Sequence, residues 1–92
     1  MTAEPSPLPS ARRRELIAAG HPLRPAITIA VGEPDDGVLA HLRQALAAHE
    51  LLKVRIRTDD RDQCRQTAER LAERVPCHLV QLVGRVVLLS RR

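Results

Sequence analysis

Cationic side chains recur at every second position in one short stretch of the chain. Lys53, Arg55 and Arg57 are spaced by two, with apolar residues between them. On a β-strand this spacing places all three cations on one face of the sheet. Arginine makes forked contacts with phosphate oxygens, so such a face could bind a phosphate backbone. Exposed strands also carry Lys and Arg without any ligand, and the triplet alone leaves both hypotheses open.

Further arginines could extend such a face. The formal net charge is +4, and fourteen of the fifteen cations are arginines. A basic, arginine-rich chain is typical of proteins that bind nucleic acid. Whether the other cations join the triplet depends on the order of the strands, which the sequence does not determine. The remaining candidate phosphate contacts are Arg12, Arg13, Arg14, Arg24, Arg85 and Arg91.

The composition excludes several other functions. The 92 residues contain no Phe, Tyr or Trp. This excludes nucleic-acid modules that stack bases on aromatic side chains, and it leaves only arginine planes for stacking. A chain of this length buries about 60–65% of the surface that its unfolded form exposes, which supports one core but no enclosed cofactor cavity. We therefore expect no cofactor and no small-molecule substrate.

The residues that could carry catalysis or bind a metal are better explained by structure. Asp59, Asp60 and Asp62 gather where a helix is predicted to begin, and acidic residues there act as caps. The four histidines are scattered along the chain, so no metal site is expected. Cys64 falls on the apolar stripe of a predicted helix, where a thiol is inert. We predict that the protein is not an enzyme.

The apolar runs and the cysteines indicate the cellular compartment. No apolar run reaches the length of a membrane span. Residues 1–10 have neither the early basic residue nor the apolar core of a signal peptide. Two distant cysteines, Cys64 and Cys77, are typical of reduced thiols in the cytosol. We expect a cytoplasmic monomer that does not contact membranes.

The elements that must position these residues alternate between helix and strand. Residues 1–9 hold three of the seven prolines and predict a flexible tail, followed by a single domain over residues 10–92. Ser10 is expected to cap the first helix. The predicted helices run over residues 11–20, from the cap Asp35 to about residue 49, and from the cap Asp59 or Asp60 to about residue 75. The predicted strands cover residues 26–31, 51–58, 77–83 and 85–91.

The element order α-β-α-β-α-β-β determines the fold class. Strands separated by long helices need crossover connections, whereas the last two strands are close enough to form a hairpin. The sequence therefore predicts an α/β protein of the two-layer α+β kind. Its core would be a four-stranded mixed sheet with the helices packed on it.

Several short blocks of the sequence resemble one known family. The blocks are His21-Pro22-Leu23-Arg24-Pro25, Gly37-Val38-Leu39, Gln44-Ala45-Leu46, the run from His49 to Ile56, and Val83-Gly84-Arg85 with Leu88 and Arg91. Their order and separations resemble those of the YhbY-like family, the bacterial single-domain form of the CRM domain (chloroplast RNA splicing and ribosome maturation). The resemblance covers roughly residues 10–91.

The resemblance implies both a fold and a function. The implied fold is similar to the C-terminal domain of a bacterial translation initiation factor. The implied function is RNA binding. Bacterial members of the family associate with precursors of the large ribosomal subunit, so the implied partner is structured ribosomal RNA. Plant relatives act in intron splicing and ribosome maturation.

The family carries a GxxG loop, between the first strand and the second helix, that lies against the RNA backbone. Here residues 30–33 read Ala-Val-Gly-Glu, so Gly32 is the only glycine of the four. Gly32 could supply a tight turn, and the helix start after it offers free N–H groups to phosphate. Glu33, Asp35 and Asp36 are expected to repel phosphate at the same place. We therefore expect RNA affinity to come mainly from the basic strands and the first helix.

A second function is compatible with the same fold. Leu79, Val83 and Val86 are expected to lie on a sheet face free of helices, where an apolar patch could bind another protein. The two hypotheses are therefore an RNA-binding ribosome-assembly factor and a protein-interaction module with weakened RNA binding.

Overall fold

Within residues 8–91, three helices and four strands follow one another in the predicted order. The computed structural model describes residues 8–91, so most of the predicted N-terminal tail, residues 1–7, lies outside the described residues. The helices are α1 (Ser10–Gly20), α2 (Asp36–Ala48) and α3 (Arg61–Arg74), and the strands are β1 (Ile27–Ala30), β2 (Leu51–Arg57), β3 (His78–Val83) and β4 (Val86–Ser90). The predicted boundaries agree with these to about one residue. Among the described residues, no helix is long and apolar enough to cross a membrane.

Aspartate side chains begin two of the three helices. Oδ1 of Asp35 accepts a hydrogen bond of 2.8 Å from the backbone N–H three residues on, which caps α2 as predicted. Oδ1 of Asp60 accepts bonds of 2.8 and 3.0 Å from two backbone N–H groups, so Asp60 rather than Asp59 caps α3. Ser10, predicted to be a cap, is instead the first residue of α1. Pro9 occupies the capping position there and offers no side-chain acceptor.

The four strands form one mixed sheet in the order β1-β2-β4-β3. β1 and β2 are parallel because α2 carries the chain back between them, while β4 pairs in an antiparallel manner with both β2 and β3. The turn between β3 and β4 contains Gly84, whose φ of 60° lies in the left-handed region that favours glycine. β2 therefore lies inside the sheet, and β1 and β3 form its edges.

The main core lies between one face of the sheet and the helices α2 and α3. Burial of this apolar surface is the largest favourable term in folding a chain of this size. The buried side chains on this face include Leu39, Leu42 and Leu46 of α2, Cys64, Ala68 and Leu71 of α3, Leu52, Val54 and Ile56 of β2, and Val87 and Leu89 of β4.

α1 packs on the opposite face of the sheet. Leu16 of this helix forms a small second core with Val80 and Leu88. Ile17 and Leu8 pack around it, so the last part of the predicted tail contacts the sheet. The helices therefore cover both faces, and the predicted two-layer arrangement gains a short third layer. α1 lies on the side of the sheet away from α2 and α3, so its few apolar side chains bury against the strands rather than against the other helices.

The edge strand β3 contributes to both cores, and a β-bulge interrupts its alternation. The register with β4 shifts between Leu79 and Gln81. Leu79 packs against the core under α2 and α3, whereas Val80 packs under α1. The expectation that Leu79 lies on a helix-free face is therefore wrong. Val83 and Val86 do lie on the other face, but α1 partly covers that face.

The end of α1 approaches the sheet closely at Gly20. A Cβ at this position would lie 2.8 Å from the Cδ atoms of Leu88. Glycine therefore allows the last turn of α1 to sit directly on β4.

Both thiols lie in the main core. Cys64 and Cys77 are unpaired and only 1% and 3% exposed. Burial raises the pKa of the Cys77 thiol from its ordinary value of 9.0 to about 12, because a thiolate cannot be hydrated there. Cys77 is therefore neutral at physiological pH and behaves as a small apolar side chain.

The buried Cys77 thiol makes stability depend on alkaline pH. In the unfolded chain this thiol loses its proton near pH 9, whereas in the folded protein it keeps its proton to about pH 12. The unfolded state thus binds fewer protons between these values, and the free energy of unfolding should fall by up to about 1.4 kcal/mol per pH unit. We predict a shallower fall for Cys77→Ala, measured by urea unfolding of reduced protein from pH 8 to pH 10.5. Equal slopes for the two proteins would contradict this prediction.

Candidate nucleic-acid interface

The cations of β2 lie on the side of the sheet that α1 partly covers. The apolar residues of β2 face α2 and α3, and strand alternation turns Lys53, Arg55 and Arg57 to the opposite side. We call this surface the basic face. The side chains of Arg55 and Arg57 are exposed and make no hydrogen bond or ion pair with any residue between 8 and 91. Lys53 is half-buried, and its Nζ donates to the carbonyl oxygen of His21 at 3.4 Å.

Arg85 extends the basic face at the end of β2. It lies in the turn between β3 and β4, and its Nε donates to the carbonyl oxygen of Thr58. Its Nη2 is 3.4 Å from Oδ1 of Asp59, an exposed pair that contributes little to stability. Arg55, Arg57 and Arg85 line one shallow depression, so the structure brings these three predicted site residues together.

The three consecutive arginines of α1 have three different surroundings. Nη2 of Arg12 pairs with Oε1 of Glu50 at 2.7 Å, which ties α1 to the start of β2. Arg13 is half-buried, and its Nη1 donates to two carbonyl oxygens at the bulge of β3. Arg14 is exposed and has no partner among residues 8–91. Of the three, only Arg14 has a guanidinium group without a partner among residues 8–91.

Among the described residues, the side chain of Arg91 is hydrogen-bonded within the fold, whereas that of Arg24 is not. Nη1 of Arg91 donates to the carbonyl oxygens of Leu46 and Ala47 at 3.0 and 2.9 Å. These bonds cap the C-terminus of α2 and place the positive charge of Arg91 at the negative end of the helix dipole. Arg24 is exposed in the loop after α1, without a partner in the described part of the chain. Arg91, like Arg13, therefore holds the fold together.

The loop between β1 and α2 corresponds to the GxxG loop of the family that the sequence resembles. Gly32 has a φ of 112°, which is strained for any side chain other than glycine. Its N–H donates to Oγ1 of the buried Thr67 of α3 at 3.3 Å. The loop is thus fixed to α3, and the Gly32 N–H is already engaged.

Glu33 in this loop is paired with cations. Its carboxylate lies between Nη1 of Arg74 and Nε of Arg70, the latter at 3.9 Å from Oε2. Asp35 accepts the capping bond of α2. The charge expected to repel phosphate here is therefore partly compensated, and the carboxylate of Glu33 occupies the space between two guanidinium groups.

The arginines of α3 are not evident from the sequence. Arg70 and Arg74 follow Glu69 and Glu73, and mixed charge of this kind is typical of a solvated helix face. The signal that could identify them is their spacing of four, which places both on one side of a helix. Arg43 of α2 donates to the backbone carbonyl of Arg74 at 3.1 Å and places a third guanidinium nearby.

The residues considered for catalysis make contacts that serve the structure. Asp60 caps α3, Asp59 pairs with Arg85, and Cys64 is buried with its Sγ 3.8 Å from the carbonyl oxygen of Gly84. Within residues 8–91, no three His, Cys, Asp or Glu side chains are grouped so that they could hold a metal ion. The surface that stands out is therefore the basic face.

The fold agrees with the comparison to known families. The CRS1/YhbY (CRM) domain matches residues 8–91, and the chain belongs to this family. The resemblance found in the short sequence blocks is thereby confirmed.

Relatives and a solved structure agree with this assignment. The probable RNA-binding protein PA4753 of Pseudomonas aeruginosa is 33% identical over 81 residues, 88% of this chain and 78% of that protein. An RNA-binding protein of Haemophilus influenzae is 27% identical over 84 residues, 91% of this chain and 85% of that protein. The solution structure of the protein SAV1595 from Staphylococcus aureus is similar with a TM-score of 0.80 and 26% identity, over 94% of this chain and 90% of that one. The predicted α+β fold with a four-stranded mixed sheet is confirmed.

Restoring the glycines of the β1–α2 loop should raise RNA affinity. We predict that Ala30→Gly with Glu33→Gly binds a structured RNA several-fold more tightly than wild type. The change removes one anion, releases Arg70 and Arg74 to bind phosphate, and lets the backbone approach the RNA. Titration of both proteins against the same RNA at fixed salt measures the effect.

Single variants distinguish the effect of removing the Glu33 charge from the effect of closer backbone approach. Glu33→Gln should give most of the gain if release of Arg70 and Arg74 dominates, and Ala30→Gly should give most of it if backbone approach dominates. A fall in affinity for the double variant, with the fold intact, would show that Glu33 makes a contact that RNA binding needs.

Proposed function

We propose that this protein binds RNA through the basic face. The observation that carries the proposal is the pair Arg55 and Arg57, which project side by side from one strand with no internal partner among the described residues. Lys53 and Arg85 flank this pair. The exposed Arg14 and Arg24 supply further contacts to the RNA.

The chemistry of this face suits a phosphate backbone. Alternate residues on a strand are about 6.6 Å apart, close to the spacing of neighbouring phosphates along an RNA strand. Each guanidinium can donate two parallel hydrogen bonds to phosphate oxygens. Because the chain has no aromatic side chain, recognition depends on the shape and charge of the RNA more than on base stacking.

We further propose that the RNA is precursor ribosomal RNA of the large subunit, and that the protein is a ribosome-assembly factor. Three similar proteins are named as RNA-binding proteins, including YqeI of Bacillus subtilis, which is 28% identical over 80 residues. Bacterial members of the family associate with precursors of the large ribosomal subunit, which supports this partner. In this proposal the protein acts in the cytoplasm, as a monomer and by binding rather than by catalysis.

The salt dependence of binding tests the basic face. We predict that Arg55→Gln with Arg57→Gln weakens binding to a structured RNA. Each lost phosphate contact should flatten the slope of log K against log salt by roughly 0.7–0.9. The fold should persist because these side chains are exposed and unpaired. The measurement is a titration at several salt concentrations.

Two arginines on the other side of the sheet provide the control. Arg61 and Arg65 of α3 are exposed, have no partner among residues 8–91, and carry the same total charge. Arg61→Gln with Arg65→Gln should leave the slope nearly unchanged. Equal flattening of the salt-dependence slope in the two double variants would mean that net charge alone attracts the RNA. An unchanged slope for Arg55→Gln with Arg57→Gln would remove the basic face from the site.

Crosslinking in the native cell tests the identity of the RNA. We predict that RNA fragments crosslinked to this protein and sequenced are enriched in precursor large-subunit RNA over small-subunit and messenger RNA. Enrichment of another RNA class would contradict the ribosomal partner and leave RNA binding in place. Absence of RNA binding by wild type at low salt would instead favour the protein-interaction module.

A further inference from the structure

A groove lies beside the basic face, between the end of α1 and the hairpin of β3 and β4. Its volume is about 530 Å³, within the range of roughly 300–1,000 Å³ that is typical of ligand pockets. Val86 and Leu88 of the sheet and Ile17 of α1 give it an apolar lining. Lys53 and Arg55 also line it, and none of the described residues around it is acidic. The groove is therefore apolar inside and positively charged where it meets the basic face.

Strand pairing creates a gradient from charge to apolar surface across this groove. Arg55 lies directly opposite Val86 on β4, and Val86 lies directly opposite Val83 on β3. Adjacent strands are about 4.8 Å apart, so this row spans roughly 10 Å from the cation to the edge of the sheet. Val83 is 62% exposed, the most exposed of the large apolar side chains in the described chain. Folding leaves this end of the row uncovered.

Gln81 adds a hydrogen-bonding group to the same groove. It pairs with Leu88 across the sheet, in the row next to Val83 and Val86. Its side-chain amide has no hydrogen-bond partner among residues 8–91, so both its donor and its acceptor are available. An amide of this kind can read the edge of a nucleic-acid base.

We propose that this groove holds one unstacked base of the bound RNA. The face of the base packs on Val83 and Val86, its edge meets Gln81, and its phosphate meets Arg55. The inference rests on the proposed RNA-binding function and adds the class of RNA, namely one with an unpaired nucleotide in a bulge or loop. Because the chain lacks aromatic rings, the aliphatic side chains of Val83 and Val86 take the place of an aromatic stacking platform.

Charge complementarity favours RNA over a protein segment in this groove. The groove opens directly onto Lys53 and onto Arg55, whose guanidinium has no partner among residues 8–91, and a polyanion is the ligand that such a rim attracts. A fully paired RNA helix cannot place a base in this groove, because its bases remain stacked inside the duplex. The groove should therefore distinguish RNA with a flipped nucleotide from RNA without one.

Two hairpin RNAs test the proposal. One is fully paired, and the other is identical except for a single-nucleotide bulge. Wild type should bind the bulged hairpin several-fold more tightly at fixed salt. Ala18→Met should abolish this preference, because Ala18 lines the groove and a methionine there would project into the space for the base without changing charge. Ala19→Met is the matched control, since Ala19 is also exposed on α1 and does not line the groove.

Binding to the paired hairpin separates this inference from the proposed function. If Ala18→Met binds the paired hairpin like wild type and loses only the bulge preference, the groove assignment is supported. Equal binding of both hairpins by wild type, or a preference that survives in Ala18→Met, would overturn the groove and leave RNA binding intact. Failure of wild type to bind either hairpin would overturn both. A last outcome is that wild type binds both hairpins equally and that Ala18→Met, but not Ala19→Met, loses a protein partner in ribonuclease-treated extract. That outcome would assign the groove to protein instead.

Discussion

Burial of one side of β2 beneath α2 and α3 is the constraint on which both the core and the basic face depend. Leu52, Val54 and Ile56 are each 5% exposed or less. A slip of one residue in the register of this strand would exchange its two faces and drive the cations into the core. Unpaired charges in such a core cost several kcal/mol each. The energy that holds the core together therefore also fixes the direction of every cation on β2.

The arginines of this chain divide into those that the fold uses and those that it leaves free. Arg13 and Arg91 donate to backbone carbonyls at the β3 bulge and at the end of α2. The last carbonyls of a helix and the extra residue of a bulge lack partners within their own element, and such positions accept these bonds. Arg55 and Arg57 have no such partner among residues 8–91. Net charge alone therefore overstates the surface that a phosphate backbone can reach.

Much of the fold could be predicted from local patterns. The alternation in β2, the aspartate caps and the turn at Gly84 each depend on residues close together in sequence. The environment of each arginine could not be predicted in this way, because its partner is distant. Arg12 pairs with a residue 38 positions away, and Arg91 bonds to one 45 positions away. Such partners depend on strand order and on the side of the sheet that α1 covers, neither of which leaves a local signature.

The β3 bulge shows the same limit at smaller scale. Strict alternation would place Leu79 and Gln81 on one face, but the extra residue moves them to different faces. No pattern of residue types in β3 marks the position where pairing slips. The bulge nevertheless determines that Gln81 faces the groove, and so it matters for the site as well as for the fold.

Building the basic face almost entirely from arginine limits how a cell can modify it. Lys53 is the only lysine in the chain, and it is half-buried with its Nζ near the carbonyl oxygen of His21. Lysine acetylation removes a positive charge, but here it can reach only one cation of the face. Arginine methylation keeps the charge and blocks forked hydrogen bonds. Covalent regulation of this surface would therefore change the geometry of its phosphate contacts more readily than its charge.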